Sequence, residues 1–262
     1  MKLTVPNRPT EFHVSPGYQP LMRMLGLDAE TVFDHAEIKV WRKLPDRENC
    51  TLDADLPDGR HVRLHVKRYE SADAALPEVE GHRLLESKSI PTAPLVGWGT
   101  LEGRRSFVIF DDLAGFTPAD KLVERGTPFC VVLEASAELA VKLHAARLHH
   151  RDLYLCHFMA REGGDDAEIR LIDTARVRRL PAFLARRWIV KDLSQFWYST
   201  LKLPVTEEQR VAWLNYYSVR RGVGSVNTLK RAIERKVRSI ARHDARIHRD
   251  RPERDVSIPT QA

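Results

Sequence analysis

A lysine, a helix glutamate and two aspartates stand in this sequence in an order that suggests chemistry. Lys67 lies near the end of an alternating run, His61 to Tyr69 (HVRLHVKRY), and Glu78 and Glu80 follow in a segment with helical spacing. His150-Arg151-Asp152 comes after a long apolar-periodic stretch, and Asp173 closes the apolar run Ile169-Arg170-Leu171-Ile172, 21 residues beyond Asp152. Each type answers a demand of phosphoryl transfer, whose loose, anionic transition state is helped mainly by positioning and charge neutralisation. A lysine fixed on a strand can hold phosphates, and a glutamate on the next helix keeps it oriented. An aspartate at the end of an apolar strand offers a hard oxygen to Mg²⁺. An aspartate beside an acceptor hydroxyl can take its proton, a contribution of roughly 10²–10⁴-fold. Glu78 and Glu80 lie two apart and face different sides of a helix, and Glu78 is taken as the partner of Lys67.

These residues need a frame to hold them. Residues 38–41, 51–56 and 61–69 alternate apolar and polar, with turns at 44–49 and 57–60, which predicts three antiparallel strands. Residues 74–88 have helical spacing and stop at Ile90-Pro91. Residues 96–98 and 106–110 read as two further strands around a turn at Gly103. Residues 36–113 therefore form an α+β lobe. From 114 to 228 the pattern is mainly helical, with amphipathic stretches at 129–148, 188–201 and 207–217. Phe196-Trp197-Tyr198 and Trp213, Tyr216 and Tyr217 sit at helical spacing inside these stretches and read as core. Residues 1–35 read as an N-terminal arm, Pro-rich at first, with room for one or two short helices between Leu21 and Phe33. Residues 229–262 read as a basic C-terminal helix or tail.

Composition narrows the classes. The 262 residues are 43% apolar and 30% charged, and the apolar ones recur in periodic blocks, which excludes disorder over most of the length. No run approaches the ~18 apolar residues of a membrane-spanning helix. The first residues have no apolar stretch of the secretory type, and Cys50, Cys130 and Cys156 form no C-x-x-C pair. A cytoplasmic protein without disulfides or a cysteine zinc site is expected. The net charge is +6, and ten Lys/Arg against four acids between Leu229 and Arg254 account for all of it. That segment suits an anionic surface, such as acidic lipid headgroups, or else is a solvated helix laced with i,i+4 pairs. It lacks interleaved aromatics, so no specific nucleic-acid partner is expected.

The order of strand lysine, helix glutamate, H-R-D and second aspartate resembles that of the protein-kinase-like fold. The resemblance implies an α+β, two-lobed protein with a small antiparallel-sheet N-lobe and a helical C-lobe. Two departures matter. Residues 43–50 stand where a Gly-rich loop would be, leaving Arg47, Asn49 or the backbone to cover phosphates. His157 stands where protein kinases place asparagine, five residues after the H-R-D aspartate. Imidazole nitrogen is a poorer match for Mg²⁺ than an amide oxygen, so His157 is open between metal ligand, phosphate contact and support for Asp152.

The segment His150 to Phe158, HRDLYLCHF, is similar to the catalytic loop of the bacterial lipopolysaccharide kinases that phosphorylate inner-core sugars, a family with histidine at that same place. Ile90-Pro91-Thr92, Leu171-Ile172-Asp173 and the stretch RWIVKDL at 187–193 add to the resemblance, which runs from Lys67 to Tyr217. It implies ATP and Mg²⁺, with a heptose or Kdo hydroxyl of a lipid-linked core glycan as acceptor. Carried over by position, Asp152 is the base, Asp173 the metal ligand, Lys67 the phosphate contact and Glu78 its partner. Asp192 braces the catalytic loop, and Asp111-Asp112-Leu113 is the hinge whose backbone receives adenine. An amphiphilic acceptor gives residues 229–254 a task, holding the enzyme peripherally at the inner face of the cytoplasmic membrane. The same residues also accommodate a kinase with a protein or other small hydroxyl acceptor, and a binding module that keeps the fold without turnover.

Overall fold

A computed structural model describes residues 9–164 and 166–250. The chain divides into two units: residues up to Arg83 with Ala93–Ala114, and Leu84–Thr92 with the chain from Gly115 onward.

The first unit is built on strands β1 (Glu11–Val14), β2 (Ile38–Lys43), β3 (Arg47–Asp55), β4 (His61–Tyr69), β5 (Leu95–Leu101) and β6 (Arg105–Asp111). They form one antiparallel sheet in the order β1-β5-β6-β4-β3-β2. Helices α1 (Gln19–Met24) and α2 (Thr31–Asp34) precede β2, and α3 (Leu76–Glu86) begins in this unit. Alternation along β3 and β4 turns Leu52, Leu64 and Val66 inward, where they meet Val96, Phe107 and Ile109. Met22, Leu27 and Val32 from the α1–α2 stretch complete this core.

Two expectations are corrected here. Residues 9–35 are not an arm: β1 extends the sheet, and the residues after it cover the core. The strand is four residues long, too short to show a period, and its place depends on distant residues. Phe12 and Val14 lie opposite Gly99 and Gly97 of β5, and a Cβ on Gly99 would stand 2.1 Å from the Glu11 carbonyl oxygen. Phe12 then meets Phe107 edge-on, with ring centroids 5.1 Å apart. The turn expected at 44–49 is also shorter, because Arg47, Glu48 and Asn49 pair with Tyr69, Arg68 and Lys67. Polar residues in a paired strand leave no alternation to read. Residues 1–8 of the expected arm lie outside the described residues.

The second unit holds β7 (Thr117–Pro118), α4 (Ala119–Glu124), α5 (Phe129–Ala145), β8 (Leu148–His149), β9 (Phe158–Glu162), β10 (Ala167–Leu171) and β11 (Arg178–Arg179). Helices α6 (Ala185–Thr200), α7 (Glu207–Arg221) and α8 (Val226–Asp250) follow. Two small sheets, β10-β9-β7 and β11-β8, flank the segment that carries H-R-D. The aromatic runs are core, as their spacing predicts: Phe196 stacks on Trp213 at 4.0 Å, and Tyr217 lies nearly parallel to Trp213. Helix α7 opens with a capping box between Thr206 and Gln209 and stops at Gly222, whose φ of 61° is left-handed. Helix α8 lays Leu229, Ile233 and Val237 into the core. Among the described residues no helix is long and apolar enough to cross a membrane. The end of the basic segment, 251–262 with Arg251 and Arg254, lies outside the described residues.

Since the Cβ of Gly99→Ala meets the Glu11 carbonyl oxygen at 2.1 Å and the buried Phe107 ring at 2.8 Å, this variant should lose about 1–3 kcal/mol of stability. Denaturant titration with amide exchange checks it: the midpoint should fall and the amides of 11–14 should exchange faster, whereas an unchanged midpoint would contradict the packing.

Candidate active site

In the first unit the two-residue period of β4 puts Lys67 and Tyr69 on one face. Lys67 Nζ donates to Glu78 Oε1 at 2.5 Å, and the Tyr69 hydroxyl donates to Glu78 Oε2 at 2.8 Å. Glu78 is only 2% exposed, so these donors hold a carboxylate that water does not reach. Burial first, then the charge of Glu78, raises the Tyr69 pKa, so the phenol remains a donor. Glu80 is exposed, which decides between the two glutamates. Tyr69 was missed in the sequence, although its position two residues after Lys67 was a usable signal. Asn49 pairs opposite Lys67 and is buried, with no partner for its Oδ1 among the described residues.

Asp111, Asp112 and Leu113 end the sheet. The Tyr18 hydroxyl donates to Asp111 Oδ2 at 2.9 Å, and His65 Nε2 lies 2.7 Å from Asp112 Oδ1. The hydrogen bond from His65 holds the Asp112 carboxyl below its usual range, against burial. Both carboxylates are thus engaged within the sheet's own surroundings, and the Leu113 side chain is buried.

In the second unit one face of α6 organises the H-R-D loop. Asp192, Gln195 and Ser199, at helical spacing, receive successive loop amides. Asp192 Oδ2 accepts from His150 N at 2.7 Å and Oδ1 from Arg151 N at 2.8 Å. Gln195 Oε1 accepts from Leu153 N at 3.3 Å, and Ser199 Oγ from Leu155 N at 2.9 Å. Lys191 Nζ donates to the Arg151 carbonyl at 2.7 Å. These bonds hold Arg151 in the left-handed region at φ 70°, where a non-glycine residue does not rest by itself. Asp192 is fully buried; burial opposes its ionisation, but hydrogen bonding from His144 and the charge and amide contacts around it keep its pKa below the ordinary value.

Asp152 therefore projects from a fixed loop. Arg176 Nη1 donates to both its oxygens, at 3.0 and 2.9 Å, and Gln195 Nε2 lies 3.3 Å from Oδ1. Arg176, Gln195 and Lys191 escaped the sequence reading. Helical spacing from Asp192 offered a signal for Gln195, but nothing local marks Arg176 as the partner of a residue 24 positions earlier.

Asp173 is delivered by the same unit. Thr92 clips onto the end of β10, its hydroxyl donating to the Leu171 carbonyl at 2.7 Å while Leu171 N reaches the Pro91 carbonyl at 2.9 Å. Ile172 N donates to the His157 carbonyl at 3.0 Å, and buried His150 places Nε2 3.1 Å from the Ile172 carbonyl. Asp173 itself is left-handed, with φ 59° and ψ 63°, and turns its carboxylate towards His157, whose Nε2 is 3.7 Å from Oδ2. The other ring nitrogen of His157 lies 2.6 Å from the Asp152 carbonyl. Burial disfavours charge on His157, but Cys156, the Asp173 carboxylate and the Asp152 carbonyl outweigh it and raise the pKa. Asp152, His157 and Asp173 are thus tied together, while Lys67 and Glu78 form their own pair. Among the described residues no three His, Cys, Asp or Glu side chains converge to hold a metal ion by themselves. Asp173 offers a hard carboxylate, which fits Mg²⁺ as that ion is usually held, by one or two carboxylates with substrate phosphates.

Comparison with known proteins identifies the family. The model of the lipopolysaccharide kinase (Kdo/WaaP) family matches residues 78–217. The chain is 25% identical over 227 residues to a lipopolysaccharide core heptose(I) kinase WaaP of Pseudomonas aeruginosa, covering 76% of this chain and 84% of that protein. With the protein of the same name from Escherichia coli it shares 31% identity over 128 residues, 42% of this chain and 44% of that one. A solved WaaP in complex with acyl carrier protein superposes with a TM-score of 0.65 at 25% identity, over 87% of this chain and 98% of that one. An aminoglycoside-3'-phosphotransferase of type VIII, 17% identical with a TM-score of 0.52 over 77% of this chain and 94% of that one, shows the fold alone. The fold is therefore the two-lobed, protein-kinase-like α+β fold, and the chain belongs to the lipopolysaccharide kinase (Kdo/WaaP) family.

Proposed function

We propose that this kinase transfers the γ-phosphate of ATP to a heptose or Kdo hydroxyl of the lipopolysaccharide inner core, with Asp152 as base. The observation that carries the reading is the H-R-D loop held amide by amide from α6, which keeps Asp152 fixed next to the turn that bears Asp173. Lys67, oriented by Glu78, holds ATP phosphates, and the backbone of Asp111-Asp112-Leu113 receives adenine. Asp173 holds Mg²⁺, which neutralises phosphate charge when bound. His157, sharing its nitrogens between the Asp152 carbonyl and Asp173, supports both aspartates rather than ligating metal. The acceptor oxygen attacks the γ-phosphorus as its proton passes to Asp152, the bond to the β–γ bridging oxygen breaks, and ADP leaves. Arg151 and Lys191, the latter with its pKa lowered by burial to about 8, leave positive charge beside the loop once Arg176 is paired with Asp152, which suits an acceptor already bearing phosphates or carboxylates.

The basic segment has a place in this reading. Arg231, Arg235, Arg238, Arg242, Arg246 and Arg249 are exposed and recur every three or four residues along α8, away from the face of Leu229, Ile233 and Val237. They make a single stripe roughly 27 Å long, at about 1.5 Å per residue. We assign it to an anionic membrane surface, with the protein at the cytoplasmic face.

Asp152→Asn should lower phosphate transfer to a core-glycan lipid by roughly 10²–10⁴-fold without loss of nucleotide binding. Mass spectrometry of the acceptor with calorimetry of nucleotide binding measures both, and transfer at the wild-type rate would remove Asp152 from the role. Transfer to a protein or small sugar instead of the core glycan would keep the chemistry and replace the acceptor.

Replacing Arg235, Arg238, Arg242 and Arg246 by Gln should release the protein from anionic vesicles, each Arg contributing about 1 kcal/mol. Co-sedimentation that does not change would return the stripe to a protein partner, such as the acyl carrier protein of the solved relative.

A further inference from the structure

The second unit contains a cavity of about 400 Å³ formed by α6, α7 and the start of α8. Ile189, Val190, Val223 and Leu229 give it apolar walls, its charged lining residues are Arg186 and Arg221, and no acid lines it. Arg221 Nε is buried without a hydrogen-bond partner among the described residues, while the same side chain hydrogen-bonds Tyr217. Ser225, whose hydroxyl caps α8 by accepting from Thr228 N and donating to Thr228 Oγ1, marks the N-terminal end of this helix of 25 residues, where its dipole is positive. Two guanidiniums, a positive helix end and apolar walls describe a receptor for an anion on an apolar body, in the size range of small-molecule sites.

Tyr217 also lines the cavity and leads away from it into the core. Its hydroxyl lies 2.8 Å from His144 Nδ1, and His144 Nε2 lies 3.3 Å from Asp192 Oδ2. A carboxylate only accepts, so Nε2 carries a proton towards Asp192, and Nδ1 pairs with the tyrosine hydroxyl. Asp192 in turn carries the amides of His150 and Arg151. Tyr217, His144 and Asp192 are all buried, so this chain of bonds has no competing water.

We propose that the cavity binds a small amphiphilic anion, a phosphate or carboxylate head on a short apolar body, and that its occupancy reaches the H-R-D loop through Tyr217, His144 and Asp192. Binding at this site does not depend on the acceptor assigned above. The test uses the full chain, titrated calorimetrically with hexyl phosphate and with hexanoate, each with and without a saturating non-hydrolysable ATP analogue; the tighter of the two names the head group. The analogue should not displace either probe, and binding should be about tenfold weaker in Arg186→Gln, an exposed position where folding is not at risk. Equal affinity in wild type and Arg186→Gln, no binding of either probe, or displacement by the analogue would overturn the site. In wild type the probe should change amide exchange at 150–154, and in Tyr217→Phe it should still bind but no longer do so. An exchange response that survives Tyr217→Phe would overturn the route.

Discussion

The carboxylate of Asp192 is the constraint on which the second unit's chemistry depends. A fully buried charge costs several kcal/mol unless its lone pairs are filled. Here they are filled by the amides of His150 and Arg151 and by His144. Those amides belong to a backbone that turns through the left-handed region at Arg151, a conformation that needs holding from outside. The acid offsets the strain of the loop, and the loop satisfies the acid. Gln195 and Ser199 extend the same face of α6 along the loop, so Asp152 leaves it in one direction.

The first unit repeats the logic with another acid. Glu78 is buried, and its two oxygens are taken by Lys67 and Tyr69, so the lysine is held at a fixed place without being consumed by water. In both units a residue suited to touching phosphate or acceptor is aimed by a buried carboxylate that touches neither. Such positioning suits a reaction in which the enzyme mainly arranges and neutralises charge.

Much of this was legible in the sequence because it is local. Alternation in β3 and β4, helical spacing in α5, α6 and α7, and the H-R-D segment each occupy a short window whose period follows from strand or helix geometry. Lys67, Glu78, Asp152 and Asp173 stand out for the same reason, as does Asp192 once the family resemblance is drawn. What the window hides is contact across the chain. Arg176 reaches back 24 residues to Asp152, and Tyr18 reaches 93 residues to Asp111.

The sequence by itself determined the types of the clearly periodic elements, the order of the chemical residues and the basic character of α8, since each follows from spacing and side-chain type. Only the tertiary structure decided that Glu78 rather than Glu80 meets Lys67, because burial depends on which helix face lies on the sheet. It alone made residues 11–14 an edge strand, because their pairing requires the missing side chains of Gly97 and Gly99 in a strand some 85 residues away. It also gave Asp152 its guanidinium and Asp192 its link to Tyr217. Directed hydrogen bonds of about 3 Å specify partners in space, and separation along the chain carries no trace of them.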